Sequence, residues 1–336
     1  GIQRYEVNAY GKRINQVDYK EGDQGKKIKI SVDTEVQKLS NELLKNVAGS
    51  ISVMDIYTGE IIAMQSSPSF NPNLFLFGIS QDDWQLIRNN PLKPLLNKTL
   101  SGLYSPGSTI KPIVALSALE HKIINKDFKV NCSGKIEMYG MTYHCWKKKG
   151  HGIVNLKDAI KQSCDTYFYE ITRKLGVDRL KKTAVKFGLG EKVLDKVFIN
   201  EKKGLMPDTK WKKNVLGKSW VLGETLITGI GQGYMQTTPL QLCLMTAQLA
   251  NGGYKIYPKI IVTDEDPTLE EIKNKIQENN KNLNEFKKGL DVASEGLSWF
   301  IEPKKHKPLF ENFENIKIVQ EAMFASTNEV RGTSYS

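Results

Sequence analysis

The stretch that decides the fold is S-P-G-S-T-I-K-P, residues 105–112. It places Ser108 and Lys111 three positions apart where an apolar helical pattern begins, and that pattern runs over 108–121. Residues three apart lie on one face of a helix, so we expect the lysine ammonium beside the serine hydroxyl. A desolvated lysine can take the proton of a serine and turn its hydroxyl into a nucleophile. The stretch therefore predicts a nucleophilic serine at the start of a helix.

A second serine motif, S-C-D, stands 55 residues after Ser108 and consists of Ser163, Cys164 and Asp165. S-x-D or S-x-N also begins at four other serines, so the tripeptide alone indicates little. Only Ser163 falls within a helical pattern, over 156–175, at this distance from Ser108. We therefore pair it with the first motif.

The remaining pattern predicts a mixed α+β fold, in which an antiparallel sheet is flanked by helices and joined to a mostly helical subdomain. Alternating residues at 28–33 and a hairpin signal between 51–56 and 61–64 supply the strands. The remaining expectations are a capping box of Thr34 and Gln37, loops over 66–104, and further helices over 178–187 and 238–251.

Domain boundaries follow from shifts in composition. Residues 1–27 are polar and read as the end of a larger N-terminal domain, so 28–336 is the main domain. Within it, 264–290 is rich in Glu, Lys, Asn and Gln, which predicts a polar surface insertion. The formal net charge is +11, but the lysines are scattered, so we expect no nucleic-acid partner.

S-x-x-K followed by S-x-D resembles the serine acyl-transferases of the penicillin-binding and β-lactamase group. The chain is similar to class B penicillin-binding proteins over nearly all of its length after residue 27. The stretches that carry this similarity are 55–59, 68–75, 145–152 and 229–234. The resemblance implies the penicillin-binding transpeptidase fold and a peptidoglycan D,D-transpeptidase of cell elongation. For the glycine-rich run 229–233, a tight strand-to-helix turn is expected rather than a direct catalytic role.

The resemblance also implies a role for each motif residue. Ser108 attacks the carbonyl between the two D-alanines of a stem peptide, and Lys111 is the base. Ser163 passes a proton to the departing amine, while Asp165 accepts hydrogen bonds from Lys111 or from the substrate amide. β-Lactams imitate the first step, and the chemistry requires no cofactor. A β-lactam sensor or a D,D-carboxypeptidase of the same fold remains the alternative.

The family setting supplies the expected partners and location. These are a membrane glycan polymerase and a rod-shape complex at the periplasmic face of the bacterial inner membrane. The 336 residues contain no run long enough to span a bilayer, so any anchor is expected in an N-terminal segment outside this sequence. The family's third motif, K-[TS]-G, is also absent. We expect the strand that bears it to follow residue 336, just after Gly332-Thr333-Ser334.

Three cysteines and one histidine fall within 33 residues, with the spacing C-x12-C-x5-H-x12-C. Three thiolates and an imidazole suit tetrahedral Zn²⁺, so Cys132, Cys145, His151 and Cys164 form a candidate structural zinc site. His144 is an alternative ligand. The competing interpretation is a disulfide between Cys132 and Cys145, with Cys164 a small buried apolar residue and His151 a loop donor. Cys243 is expected in the core.

Overall fold

A computed structural model describes residues 1–25, 27–76, 78–138, 140–194, 198–262 and 306–335. The chain divides into two compact units. Within the described residues, the first unit contains Gly1–Ile30 with Ile261 and Val262, and the second contains 31–260 and 306–335. The insertion predicted at 264–290 lies outside the described residues.

The strands of the described residues are β1 (Ile2–Val7), β2 (Arg13–Lys20), β3 (Lys29–Ile30), β4 (Gly49–Met54), β5 (Ile61–Ser67), β6 (Val130–Cys132), β7 (Lys135–Met138), β8 (Met141–His144), β9 (Gly152–Val154) and β10 (Ile261–Val262). They form antiparallel pairs, namely β1–β2, β3–β10, β4–β5, β6–β9 and β7–β8. Burial alternates along β5, so one face of the β4–β5 hairpin packs on the interior.

The α-helices of the described residues are α1 (Thr34–Leu43), α2 (Gln81–Arg88), α3 (Lys98–Ser101), α4 (Lys111–Glu120), α5 (Leu156–Lys161), α6 (Asp165–Leu175), α7 (Val177–Lys186), α8 (Thr209–Leu216), α9 (Leu222–Thr228), α10 (Pro239–Ala250) and α11 (Phe313–Asn328). Two 3₁₀ turns occupy Pro72–Phe75 and Gly107–Ile110. This mixture of helices and antiparallel strands confirms the predicted α+β class.

The centre of the second unit is α4. Its residues from Ile113 to Leu119 are all buried, because helices α5, α6, α7 and α11 pack around it. A helix that is apolar on every side is stable only where it is surrounded, so the sequence of α4 fixes it as the core element. The first residue of α4 is Lys111, which places that lysine at the edge of the most buried part of the molecule.

Several local predictions need correction. The cap of α1 is Asp33, whose carboxylate accepts from the amides of Glu35 and Val36, while the side chain of Gln37 bonds to β5 instead. The loop predicted over 66–104 contains α2 and α3, each begun by a side-chain cap. The long helix predicted over 156–175 is two helices, α5 and α6, because the backbone turns left-handed at Ser163.

Candidate active site

Ser108 lies in the 3₁₀ turn Gly107–Ile110 that leads into α4. Gly107 has φ +59° and donates its amide to the carbonyl of Gly231 at 2.9 Å. The Ser108 side chain is exposed, and its hydroxyl has no hydrogen-bond partner among the described residues. The candidate nucleophile is therefore open to a ligand from solvent.

Lys111 is buried, with 2% of its surface exposed. Its Nζ donates to Ser163 Oγ at 2.9 Å, to the Ser163 carbonyl at 2.9 Å and to Asp165 Oδ1 at 2.7 Å. It also lies 5.4 Å from the centre of the Phe168 ring. The expected hydrogen bond between Lys111 and Ser108 is not among these contacts, because the buried ammonium is held by the second motif.

Ser163 occupies the break between α5 and α6 with φ +52°, an uncommon conformation for a residue with a side chain. Cys164, which follows, is the N-cap residue of α6, so Asp165 is the first residue of that helix. The break turns both the Ser163 hydroxyl and the Asp165 carboxylate toward Lys111. The fold thus brings Lys111 into contact with Ser163 and Asp165, which lie 52 and 54 residues farther along the chain.

Trp146 is the site residue that sequence reasoning missed. Its indole Nε1 donates to the carbonyls of Gln162 and Ser163 at 3.1 and 3.0 Å, and its backbone amide donates to Asp165 Oδ2 at 2.9 Å. The side chain remains 59% exposed. Its position next to Cys145 was the available signal, but nothing in the sequence links residue 146 to residue 163.

The glycine-rich run 229–233 follows α9, not a strand as predicted, and it packs against the first motif. A Cβ at Gly231, which has φ +73°, would overlap the backbone of Gly107. Farther along, Tyr104 and Thr237 exchange backbone hydrogen bonds of 2.9 and 2.8 Å. The run therefore supports the loop that carries Ser108.

The four predicted metal ligands come together behind this site. Cys132, Cys145 and Cys164 are buried free thiols, and their sulfur atoms and a nitrogen of His151 lie within 4.8 Å of one another. The His151 Nδ1 is 3.5 Å from the Cys132 sulfur and 3.6 Å from the Cys145 sulfur. Its Nε2 is buried without a hydrogen-bond partner among the described residues. Cys243, predicted in the core, is partly buried in α10.

The thiols of this cluster have unequal acidity. A hydrogen bond from Cys164 lowers the pKa of Cys145 to about 3; burial opposes this shift, and hydrogen bonds from the backbone at Lys147, Thr166 and Asp165 add to it. The same hydrogen bond, together with burial, raises the pKa of Cys164. The surroundings of Cys145 thus favour the thiolate, which is the form that binds a metal.

Two stretches approach the third motif in sequence but lack its glycine, Lys182-Thr183-Ala184 and Lys218-Ser219-Trp220, and neither joins the site. Lys182 lies within α7, and Lys218 is an exposed residue after α8. No helix among the described residues combines the length and the apolar character that a bilayer crossing needs.

Comparison with known proteins gives a consistent set of similarities. Residues 49–296 match the family model for the penicillin-binding protein transpeptidase domain. The chain is 38% identical over 264 residues to the peptidoglycan D,D-transpeptidase MrdA of Acinetobacter baumannii, an alignment that covers 78% of this chain and 39% of the relative. The chain thus spans about two fifths of the length of that curated relative.

Two solved structures are similar in fold. The PBP2 of Pseudomonas aeruginosa, in complex with WCK 5153, has a TM-score of 0.76 and 36% identity, covering 91% of this chain and 60% of that one. The PBP2 of Helicobacter pylori, in complex with MreC, has a TM-score of 0.77 and 30% identity, covering 99% of this chain and 55% of that one.

Proposed function

This chain belongs to the family of penicillin-binding protein transpeptidase domains, and from that premise we propose that it is the acyl-transfer domain of a peptidoglycan D,D-transpeptidase of cell elongation. The observation that carries the proposal is the buried Nζ of Lys111, held by Ser163 and Asp165 within one helical turn of the exposed Ser108. The substrate class is the D-Ala-D-Ala end of peptidoglycan stem peptides.

The arrangement gives each proton a route. With Lys111 in its neutral amine form, Ser108 Oγ bonds to the carbonyl carbon of the penultimate D-alanine, and the serine proton passes to Lys111 Nζ. The C–N bond to the terminal D-alanine then breaks, and Ser163, hydrogen-bonded to Lys111 Nζ, delivers a proton to the leaving nitrogen. The amine of a second stem peptide attacks the acyl-serine, which forms the cross-link and restores Ser108. The chemistry uses no cofactor.

Acylation of Ser108 tests the function directly. We expect prolonged exposure to benzylpenicillin to add one penicilloyl group to Ser108, detected by mass spectrometry of its peptide. Ser108→Ala and Lys111→Ala should abolish the adduct, the second because no base remains to take the proton. Ser101→Ala, a serine near the same loop, is the matched control. An adduct on another residue, or one that survives Ser108→Ala, would refute the assignment.

The missing third motif sets the expected rate. In this family K-[TS]-G contributes to the oxyanion hole, and losing one oxyanion donor lowers the rate by about 100- to 1000-fold. We therefore predict that a β-lactam acylates the 336-residue chain more slowly than a penicillin-binding protein with all three motifs, by at least about 100-fold. Stopped-flow measurement with a chromogenic cephalosporin checks this. Equal rates would show that the third motif contributes little.

Product analysis separates the transpeptidase from its alternatives. With paired stem peptides, a transpeptidase forms cross-linked dimers, a D,D-carboxypeptidase releases D-alanine without dimers, and a β-lactam sensor does neither.

Since relatives of this chain include a PBP2 solved with MreC, we propose a rod-shape complex and a glycan polymerase as partners at the periplasmic face of the inner membrane. Co-purification from cells that express the complete protein tests that setting.

We also propose that Cys132, Cys145, His151 and Cys164 hold a structural Zn²⁺. The supporting observations are three free thiols and an imidazole within 4.8 Å, together with surroundings that favour a thiolate at Cys145. Four protein ligands form a closed site, which suits a structural rather than a catalytic ion. Cys164 lies between Ser163 and Asp165, so the ion would hold the second motif in place.

Elemental analysis of protein purified without a histidine tag tests the zinc site. We expect about one equivalent of zinc, and Cys132→Ser should lose the ion and lower the melting temperature, because metal binding contributes to folding. Cys243→Ser, a cysteine outside the cluster, should keep both. Less than about a tenth of an equivalent, with one disulfide by thiol counting, would support the Cys132–Cys145 bridge instead.

A further inference from the structure

Three aromatic side chains form a cluster that the reaction described above does not use. Trp211 in α8, Trp220 after it and Tyr234 in the loop beyond Gly231 make up this aromatic cluster. The Tyr234 ring lies between the others, with centroids 5.2 Å from Trp211 and 6.3 Å from Trp220. Tyr234 is still 36% exposed, and its hydroxyl has no hydrogen-bond partner among the described residues.

A buried ion pair holds the cluster rigid. Lys212 is buried, pairs with Glu224 and lies over the rings of Trp220 and Tyr234 at 5.9 and 6.0 Å. The indole of Trp220 donates to Thr225 Oγ1 at 2.7 Å. Since the charge of Lys212 is neutralised inside the protein, the rings are fixed in place before any ligand arrives, which lowers the entropic cost of binding.

Exposed lysines in the segments 202–203 and 210–218 make up what we call the basic rim of the aromatic cluster. Its members share exposed side chains and the lack of an ion-pair partner among the described residues; they are Lys202, Lys203, Lys210, Lys213 and Lys218. Three carboxylates lie in or against α8: Asp208 pairs with Lys181 and also interacts with Lys210, Glu224 pairs with Lys212, and Asp178 accepts from Thr209. With five lysines against these three carboxylates, two of which already pair with other lysines, the rim carries net positive charge.

The surface adjoins the candidate nucleophile. The carbonyl of Gly231, three residues before Tyr234, accepts from the amide of Gly107, which precedes Ser108. On the other side, Leu205 and Gln236 exchange backbone hydrogen bonds of 2.7 and 2.9 Å, which bring the 202–205 segment beside the same loop. A chain bound along the rim and the rings can thus reach Ser108.

We propose that the aromatic cluster and its basic rim bind an anionic stem peptide of peptidoglycan on its way to or from Ser108. The inference rests on the proposed function and names the surface that guides the substrate. Stem peptides carry several carboxylates and short aliphatic side chains, which match exposed lysines around fixed rings. A neutral ligand would not need the rim, and a membrane surface would not need rings connected to the loop that carries Ser108.

Binding is measured by calorimetry in the Ser108→Ala chain, which cannot be acylated, with a soluble stem pentapeptide as the probe. We expect the Kd to rise roughly tenfold, and to depend less on salt, in the triple variant Lys210→Gln, Lys213→Gln and Lys218→Gln. The matched control is Lys122→Gln, Lys126→Gln and Lys129→Gln, three exposed lysines elsewhere, which should change Kd less than about twofold. Tyr234→Leu should also weaken binding without a change in charge.

Three results would overturn the proposal. The first is an equal loss of pentapeptide affinity in the two triple variants. The second is a peptide with amidated carboxyl groups that binds as tightly as the unmodified pentapeptide. The third is binding to vesicles of phosphatidylglycerol without binding to the pentapeptide. The last would assign the surface to a lipid. The two proposals fail separately. If Ser108 is acylated but peptide binding does not depend on charge, only the proposed binding surface is wrong. If peptide binding depends on charge but Ser108 is not acylated, only the acyl-transfer assignment is wrong.

Discussion

At the scale of single residues, the site depends on one buried charge. Lys111 is almost completely inaccessible, and Asp165 is the carboxylate that faces it among the described residues. An ion pair inside a protein contributes little net stability, but the loss of one partner leaves an uncompensated charge in a poor solvent. The pair is thus a requirement for order in the site.

This asymmetry predicts the outcome of a double-mutant cycle. Asp165→Asn keeps the shape but removes the charge, so we expect the free energy of unfolding to fall by about 3–5 kcal/mol. Lys111→Met in addition removes the stranded ammonium, and the double variant should be more stable than Asp165→Asn alone. Urea unfolding followed by circular dichroism measures both. Additive losses would show that Lys111 and Asp165 are not coupled.

Trp146 gives a second residue-scale prediction. Trp146→Phe keeps an aromatic ring near His151 but removes the indole N–H that contacts two carbonyls of the Ser163 loop, so stability should fall by about 1 kcal/mol. Trp84→Phe is the control, because that indole has no hydrogen bond among the described residues. The same urea titration applies, and an equal effect of the two substitutions would remove Trp146 from the site.

At the scale of elements, the site depends on the contact between the loop before α4 and the turn after α9. Gly231 and Gly107 both have positive φ and meet backbone to backbone, which leaves no room for a side chain at residue 231. Glycine is required there for space as well as for conformation. The same contact carries the loop that precedes Ser108.

A matched pair of glycine substitutions separates space from conformation. Gly231→Ala meets the backbone of Gly107, whereas Gly217→Ala has a similar φ of +65° but open space around it. Both should lose about 1–2 kcal/mol from the left-handed conformation. Gly231→Ala should lose about 1–3 kcal/mol more from overlap, and its Ser108 should acylate more slowly. Equal melting temperatures of the two variants would argue against a close approach between residue 231 and the backbone of Gly107.

These elements also show what the sequence could and could not predict. The helix starting near Ser108 and the helix at 239–250 were predictable, because a long apolar pattern and Thr238-Pro239 act locally. The break at Ser163 was not, because nothing around it is a helix breaker and tertiary contacts to Lys111 and Trp146 impose it. Ser108, Lys111, Ser163 and Asp165 were found by motif, and of the two donors expected for Asp165, Lys111 and the substrate amide, the structure shows Lys111.

At the scale of the whole molecule, residues far apart in sequence fix the second motif from behind. Glu329, at the end of α11, pairs with Lys157 and Lys161 of α5 at 2.6 and 2.8 Å. The carbonyl of Lys161 also accepts from the amide of Thr333 at 3.0 Å. Since Lys161 is two residues before Ser163, helix α11 is tied to the loop that carries Ser163.

This tie predicts a pH dependence. Hydrogen bonds from Lys157 and then Lys161 lower the pKa of Glu329 below its ordinary value of 4.5. A lowered folded-state pKa contributes stability above the ordinary value, and the contribution is lost as pH falls through the lowered one. Glu329→Gln should therefore lower the melting temperature at pH 7 and have no effect once the pH is well below 4.5. Glu42→Gln, an exposed unpaired control, should change neither melt, and a pH-independent effect of Glu329→Gln would contradict the argument.

The left-handed backbone at Ser163 also limits which substitutions residue 163 can accept. Glycine and asparagine are the residues that favour that conformation, and both discard the hydroxyl. Threonine keeps a hydroxyl, but its branched Cβ makes it poorly suited to a positive φ. A substitution at residue 163 therefore sacrifices either the hydroxyl or the backbone conformation, so sequence variation in the site is expected at the positions around it.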